Sequence, residues 1–311
     1  DQLSFLQDAG GHLNVLLRSH AGGDGMWRAE RSRGDFALMR VALSSFGSGR
    51  DAAPRGAYRP ISGIEGHAIQ NRFVGDWLLV GSMGHRRLTA LRYAGLPGVP
   101  WASDGDAAQA PAQTIDLAHN VERIEALGGH ALVAGNAGRD LHFSTLRLDA
   151  RHAALAGHAV RSDAAQGETR THGFFYRATS SDDGLLGLPI IGQGQGDRHS
   201  AFGPQGHGAS VVFVRNRGLE LEPIGQLDAR GSDRGPRSTP WGQVDDGCKA
   251  SCVDWYGNAR PIFLGERVFA LMGYDLVEGR SAGGRFTGER IEERRRIDFA
   301  PRAQARWGRE G

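Results

Sequence analysis

Lysine is almost missing from this sequence: of 37 basic residues, only Lys249 is a lysine and the rest are arginines. The arginines are scattered, which reads as compositional bias, whereas phosphate recognition needs them clustered. The formal net charge is only +2, so nothing points to a nucleic-acid partner. Long hydrophobic runs are missing too. None approaches the roughly 20 apolar residues of a membrane-spanning helix, and no membrane span is expected. The signatures HxH, HExxH and CxxC are absent, and with them the usual spacing of metal ligands. There is no GxSxG, and no Ser/His/Asp order stands out. No long helix can be read; "TIDLAHNVERIEAL" holds at most a helical turn, and 120–127 fits better as a first strand.

Glycine is abundant instead, with 47 in 311 residues. It supplies the positive φ of tight turns, so the chain reads as many short strands. One phrase recurs: a strand, a Gly turn, a strongly apolar strand, then an alternating strand. "LGGHALVAGNAGRDLHFSTLRL" at 127–148 is the clearest copy, and aligned copies turn at Gly11, Gly75, Gly128, Gly184 and Gly265. The spacings, 53 to 81 residues, are somewhat longer than the usual propeller repeat of roughly 40 to 50 residues. A polar strand such as "ALAGHAVR" closes each unit. Apolar inner strands with an alternating outer one fit a four-stranded blade, which buries its faces only by stacking on its neighbours. The expected fold is therefore all-β: a β-propeller with about five four-stranded blades visible. Their approximate bounds are 1–62, 63–113, 114–167, 168–230 and 231–302, with a C-terminal tail at 303–311. An all-β sandwich is the rival architecture.

These phrases resemble the C-terminal β-propeller domain of secreted bacterial and archaeal proteins, over about residues 8 to 300. "DAGGHLNVLLRS" resembles that family's "GYLR" blade opening, and "GHAIQNRFVGDWLLVGS" its "ERIYSVRFMGDRLYVV" hairpin. "THGFFYRATSSDDGLLGLPI" resembles "DHKAFLYDPEKGLLAIPV", the most specific match, and "NARPIFLGERVFALMG" resembles the final "RSLFIGDYLYTIS" blade. The family's acidic "GVDEADIVKTDG" opening is absent, and "RLDARHAAL" is a degenerate form of its "DVSDPANP" turn. The resemblance thus implies the later blades of a larger propeller, in a secreted or periplasmic protein made with a signal. It transfers little chemistry.

The candidate site residues are few. His172 matches the family's "DHKAF" position, but Thr171 stands where the family has its acidic residue. A His opening an inner strand is expected to bond backbone across blades rather than to catalyse. There are two long insertions: 190–209 is rich in Gly and Gln and carries no core, and 229–247 is the second. Loops of that length are functional or mobile, so His199, His207 and Trp241 become candidate binding residues. "SDGDAAQ", "SSDDG" and "VDDG" read as turns. No metal or cofactor is expected; a metal ion at the Gly-flanked histidines is the weak alternative. Cys248 and Cys252 in "CKASC" form a short-loop disulfide, a reactive pair or two free thiols, and export favours the disulfide.

The function expected from this is an exported, repeat-built scaffold that binds another protein or belongs to an assembly, without catalysis of its own. The alternative is a hydrolase or lyase with a central-channel site that includes His172. The chain begins at Asp1 with no initiator Met and no signal peptide, which reads as a processed chain. Its partner is then expected to be the N-terminal blades of the same precursor, contacting 13–17 and 291–299. The cysteines give a direct test. Thiol labelling of denatured, unreduced protein should find neither Cys248 nor Cys252 reactive, and two labelled thiols would refute the disulfide.

Overall fold

The computed structural model describes residues 2–19, 34–47, 52–66, 68–93, 111–192, 209–229, 237–239, 242–244, 259–265, 267–272, 275–281 and 290–298. Among them the fold is all-β, and its helices are three-residue 3-10 turns. The chain divides into two compact units. Unit 1 holds Asp1–Ser162 with Ala178–Gly184 and Asn216–Leu221; unit 2 holds Asp163–Arg177, Leu185–Arg215 and Glu222–Gly311.

Unit 1 contains three separate four-stranded sheets, each paired in chain order. The first consists of β1 (Phe5–Gln7), β2 (His12–Arg18), β3 (Phe36–Ala42) and β4 (Tyr58–Ile61). The second has β5 (Ile69–Val74), β6 (Trp77–Ser82), β7 (Arg87–Arg92) and β8 (Gln113–Asp116). The third has β9 (Arg123–Leu127), β10 (His130–Ala137), β11 (Asp140–Leu148) and β12 (Ala153–Arg161).

The remaining strands form one sheet in which β13 (Ala164–Gln166) and β14 (Phe175–Ala178) both pair β15 (Gly184–Gly192). From β15 the order runs through β16 (Ala209–Arg217) and β17 (Glu220–Asp228). A separate two-stranded hairpin joins β18 (Arg237–Thr239) to β19 (Gly242–Val244). The chain then forms β20 (Arg260–Leu264), β21 (Arg267–Met272), β22 (Asp275–Ser281) and β23 (Ile291–Asp298), again paired in order. So five four-stranded runs are present, but the last two share a nine-stranded sheet where five separate sheets were expected. The join is a single parallel pair, Gly225 with Ile291. A Cβ at Gly225 would lie 2.4 Å from the Ile291 carbonyl oxygen, so only glycine permits it.

The repeated phrase is a hairpin. Val74 pairs Trp77 and Leu127 pairs His130 across two-residue turns. Gly75 and Gly128 occupy the first turn position with φ of 53° and 62°, which a type II′ turn demands and L-residues resist. Gly184 differs: it opens β15 instead of turning a hairpin.

Strand β6 is apolar along most of its length because both of its faces are covered. Strand β6 is buried at every position. Its Leu78 and Val80 meet Leu16, Phe36, Leu38 and Ile61 of the first sheet. Its Trp77 and Leu79 point the other way, into Ile124, Ala131, Val133 and Leu146 of the third. In unit 2, Val211, Phe213, Ile224 and Leu227 pack on Val268, Ala270, Met272 and Val277. Trp77 is only 2% exposed, and its Nε1 donates to the Asp149 carbonyl at 3.0 Å. Trp77→Ala should therefore cost about 3–5 kcal/mol in urea unfolding, whereas Met83→Ala, at an exposed turn, should stay within about 0.5 kcal/mol.

Candidate functional site

Two polar features gather at one rim of unit 1, where the β6–β7 and β10–β11 turns lie. The first is a cleft of about 480 Å³, lined by Glu65, Ser82, His85, Arg86, Thr89 and Asp116 among others. Its walls are set by backbone: Ser82 donates its hydroxyl to the Glu65 carbonyl at 2.6 Å, and the Leu117 amide donates to the Arg86 carbonyl at 2.8 Å. His85 Nδ1 lies 3.7 Å from Glu65 Oε2, and Arg87 Nε 3.4 Å from Asp116 Oδ1. Arg86 is exposed. No carboxylate pairs with it among the described residues.

The second feature is a row of imidazoles on the third sheet. His142 and Ser144 share one face of β11, because they are two residues apart. His158 of β12 stands directly opposite Ser144 in the register. His119, from the segment before β9, completes the row, with ring centroids 5.1 to 6.2 Å apart. His119 Nδ1 lies 2.7 Å from the Asn120 carbonyl, so that nitrogen carries the proton. Nε2 then accepts from the Ser144 hydroxyl at 2.8 Å. Burial, the largest cause, and the nearby His142, His158 and Arg86 charges push His119 down to about 4. His142 is lowered as well, first by burial and then by His158. His142 Nδ1 and His158 Nε2 meet at 2.9 Å.

A serine bonded to an oriented imidazole is the start of an activated nucleophile. Here His119 is 0% and Ser144 1% exposed, so no substrate reaches the pair and the bond serves packing. Among the described residues, no group of three or more His, Cys, Asp or Glu is placed to hold a metal ion.

His172 lies in unit 2, in a 3-10 turn at Thr171–Gly173 ahead of β14. Its Nε2 is 3.4 Å from Glu168 Oε2. The carboxylate that Thr171 does not supply comes from four residues upstream. Glu168 is 3% exposed and also accepts from the Arg170 amide at 2.8 Å. Gly173 makes room for it, since a Cβ there would lie 2.7 Å from Glu168 Cγ. Downstream, the exposed ring of Phe175 stacks on Phe263 at 5.2 Å, and the Arg177 guanidinium sits 5.5 Å above Phe263.

The other sequence candidates, His199, His207, Trp241, Cys248 and Cys252, lie outside the described residues. "SSDDG" is a turn, as expected: the Ser180 hydroxyl accepts from the Asp182 and Asp183 amides at 3.3 and 3.0 Å. The imidazole row was not anticipated, although the two-residue step from His142 to Ser144 is visible in "LHFSTL". No family model matches the chain, and no curated protein matches it significantly in sequence.

His119 sets a pH dependence. Its folded pKa, about 4, lies below the unfolded value of about 6.5. The unfolded state therefore binds the proton first, so the stability linked to neutral His119 is full above about pH 6.5 and lost as pH falls towards 4. Denaturant unfolding should show a loss on the order of 2 kcal/mol across that window. His119→Gln should be less stable at neutral pH but should flatten this slope; an unchanged slope would refute the assignment.

Proposed function

We propose that this chain forms blades of a β-propeller that works as an exported binding scaffold, with a protein partner and without catalysis of its own. One observation carries the reading. Each four-stranded run pairs in chain order, and the second sheet packs one apolar cluster against the first sheet and another against the third. Such stacking leaves strand ends and turns as the free surface, and propellers bind there. The cleft at the rim of unit 1 is that kind of surface. The phrases shared with secreted propeller proteins support export and a partner that supplies further blades.

The Glu168–His172 pair favours a second reading, an enzyme. A buried carboxylate lies 3.4 Å from a ring whose side chain is 32% exposed, a pairing that a general base can use. On that reading Glu168→Gln removes activity toward a hydrolase or lyase substrate; on the scaffold reading it leaves partner binding intact.

Sedimentation velocity of the isolated chain tests the scaffold reading. A chain that supplies only some blades exposes apolar sheet faces and unpaired edge strands. It should therefore self-associate, and it should become a defined heteromer when co-expressed with the remaining blades. A stable, soluble monomer of the chain alone would overturn the partner-completed ring.

A further inference from the structure

The His142–His158 contact belongs neither to the apolar core nor to the cleft. His142 is half-buried and His158 exposed, so a neutral bond between the two rings gains little over bonds to water. The pair is nevertheless held at a fixed spacing. In the β11–β12 ladder His142 pairs Val160 and Ser144 pairs His158, which makes the two histidines diagonal neighbours on one face. Strand β12 is pinned beside them. The Thr145 hydroxyl donates to the Leu219 carbonyl at 2.7 Å, and a Cβ on Gly157 would lie 2.7 Å from that same oxygen. Behind the pair, His119 is buried and bonded through both ring nitrogens, with its ring centroid 5.5 Å from that of His142 and 6.2 Å from that of His158. Two accessible imidazoles thus stand against an immobile third, with His142 Nδ1 2.9 Å from His158 Nε2.

That spacing has a second meaning. An imidazole nitrogen binds a first-row metal ion at about 2.0–2.1 Å. Two such nitrogens in neighbouring positions of a square-planar or octahedral ion lie about 2.9 Å apart, and at a tetrahedral angle about 3.3 Å apart. We propose that His142 Nδ1 and His158 Nε2 chelate a divalent transition-metal ion of the copper, nickel or zinc class, in neighbouring positions of its coordination sphere.

The ion takes the place of the shared hydrogen. In the neutral pair one of the two nitrogens donates that hydrogen and the other accepts it. On binding, the donor ring carries the hydrogen on its other nitrogen, and both lone pairs turn to the ion. A neutral pair therefore releases no proton, and no electron is transferred. Each ring needs only a turn about χ2, which is a soft torsion in histidine. His119 takes no part, because the Ser144 hydroxyl and the Asn120 carbonyl occupy its nitrogens. The remaining positions of the ion fall to water or to a donor atom of a ligand. Imidazole without thiolate suits copper, nickel and zinc, whereas magnesium and calcium take oxygen ligands. The site stands on the β11–β12 pair alone and does not depend on the scaffold reading.

Nickel chloride is the first probe, titrated calorimetrically into the full chain near pH 7.5, about one unit above the ordinary imidazole value. Two imidazoles are half the ligand set of a structural zinc site, so Kd should be on the order of 10 µM. Zinc, which must open the pair by about 0.4 Å, should bind about tenfold more weakly. Magnesium should not compete. His142→Gln and His158→Gln should each weaken nickel binding at least about tenfold, since one imidazole cannot chelate. His152→Gln, at a histidine whose side chain is 74% exposed, should leave it unchanged. Unfolding temperatures without metal should show that all three variants fold, and saturating nickel should raise that of the unaltered chain but not those of His142→Gln and His158→Gln. Substoichiometric copper gives a readout that needs no variant: its electron paramagnetic resonance spectrum should carry hyperfine structure from two imidazole nitrogens. The absence of nickel binding, a copper spectrum with a single nitrogen, or weakening in only one of the two site variants overturns the proposal. Zinc bound more tightly than nickel through the same pair overturns the coordination geometry.

Discussion

A four-stranded sheet has two faces and cannot bury either one alone, and the rest of this structure depends on that constraint. Strand β6 shows the consequence most plainly. Successive residues of "WLLV" alternate between two apolar clusters, one shared with the first sheet and one with the third. Removing either neighbour would expose about half of that strand. At roughly 25 cal/mol per Å² of apolar surface, sheet stacking outweighs any single hydrogen bond in unit 1. The same constraint explains why β6 lacks the in–out alternation of a sheet with one wet face.

Close stacking also decides where polar groups go. The side chains that cross between sheets are capped by turn carbonyls: Trp77 by Asp149, and Arg92 by Ala150 at 2.7 Å. The turn that offers them is held by the Asp149 carboxylate, which accepts the Arg151 and His152 amides at 2.7 and 2.6 Å. On the edge strands, Glu125 is buried between Arg123 at 2.8 Å and Arg72 at 3.3 Å. Burial still raises its pKa against both arginines. A buried ion pair of this kind adds little net stability; here it ties β5 of the second sheet to β9 of the third. His119 follows the same logic. Gly135 lacks a Cβ, which would otherwise sit 1.9 Å from the Asn120 oxygen. The Asn120 carbonyl can therefore come close to β10 and stay fixed as the acceptor for Nδ1.

Much of the fold was legible because it follows from local rules. Turn glycines at Gly75 and Gly128 were readable, since a two-residue hairpin turn has few chemical solutions. Apolar runs such as "ALVAG" were readable, since doubly covered strands have no other composition. The join between Gly225 and Ile291 was not, because a parallel pair between residues 66 apart in sequence leaves no periodic trace. The site was less legible still. His172 stood out in the sequence, but its carboxylate partner did not. Thr171 occupies the expected place, while Glu168 reaches the ring through an irregular segment that obeys no helical or strand period. The imidazole row is one part local and two parts tertiary. The spacing of His142 and Ser144 is a strand period, but His158 depends on the β11–β12 register. That register shifts between Thr145 and Leu146, so counting residues from the hairpin turn mispairs it.

The two histidines that a sequence presents as equals, His119 in "AHN" and His172 in "THG", end in opposite environments. His119 is sealed, neutral and bonded through both ring nitrogens to neutral groups. His172 is partly open and faces a buried carboxylate. An imidazole held by a carbonyl and a hydroxyl has no reason to change charge near neutral pH, so it can only build. One set against a carboxylate, as His172 is, has a charged group within reach instead. In a fold whose interior is occupied by sheet-on-sheet packing, such groups lie where a strand face or an irregular segment is left partly open. Among the described residues, the partly open polar groups are therefore at the rim of unit 1 and around the His172 turn of unit 2, and not on the doubly covered strand β6.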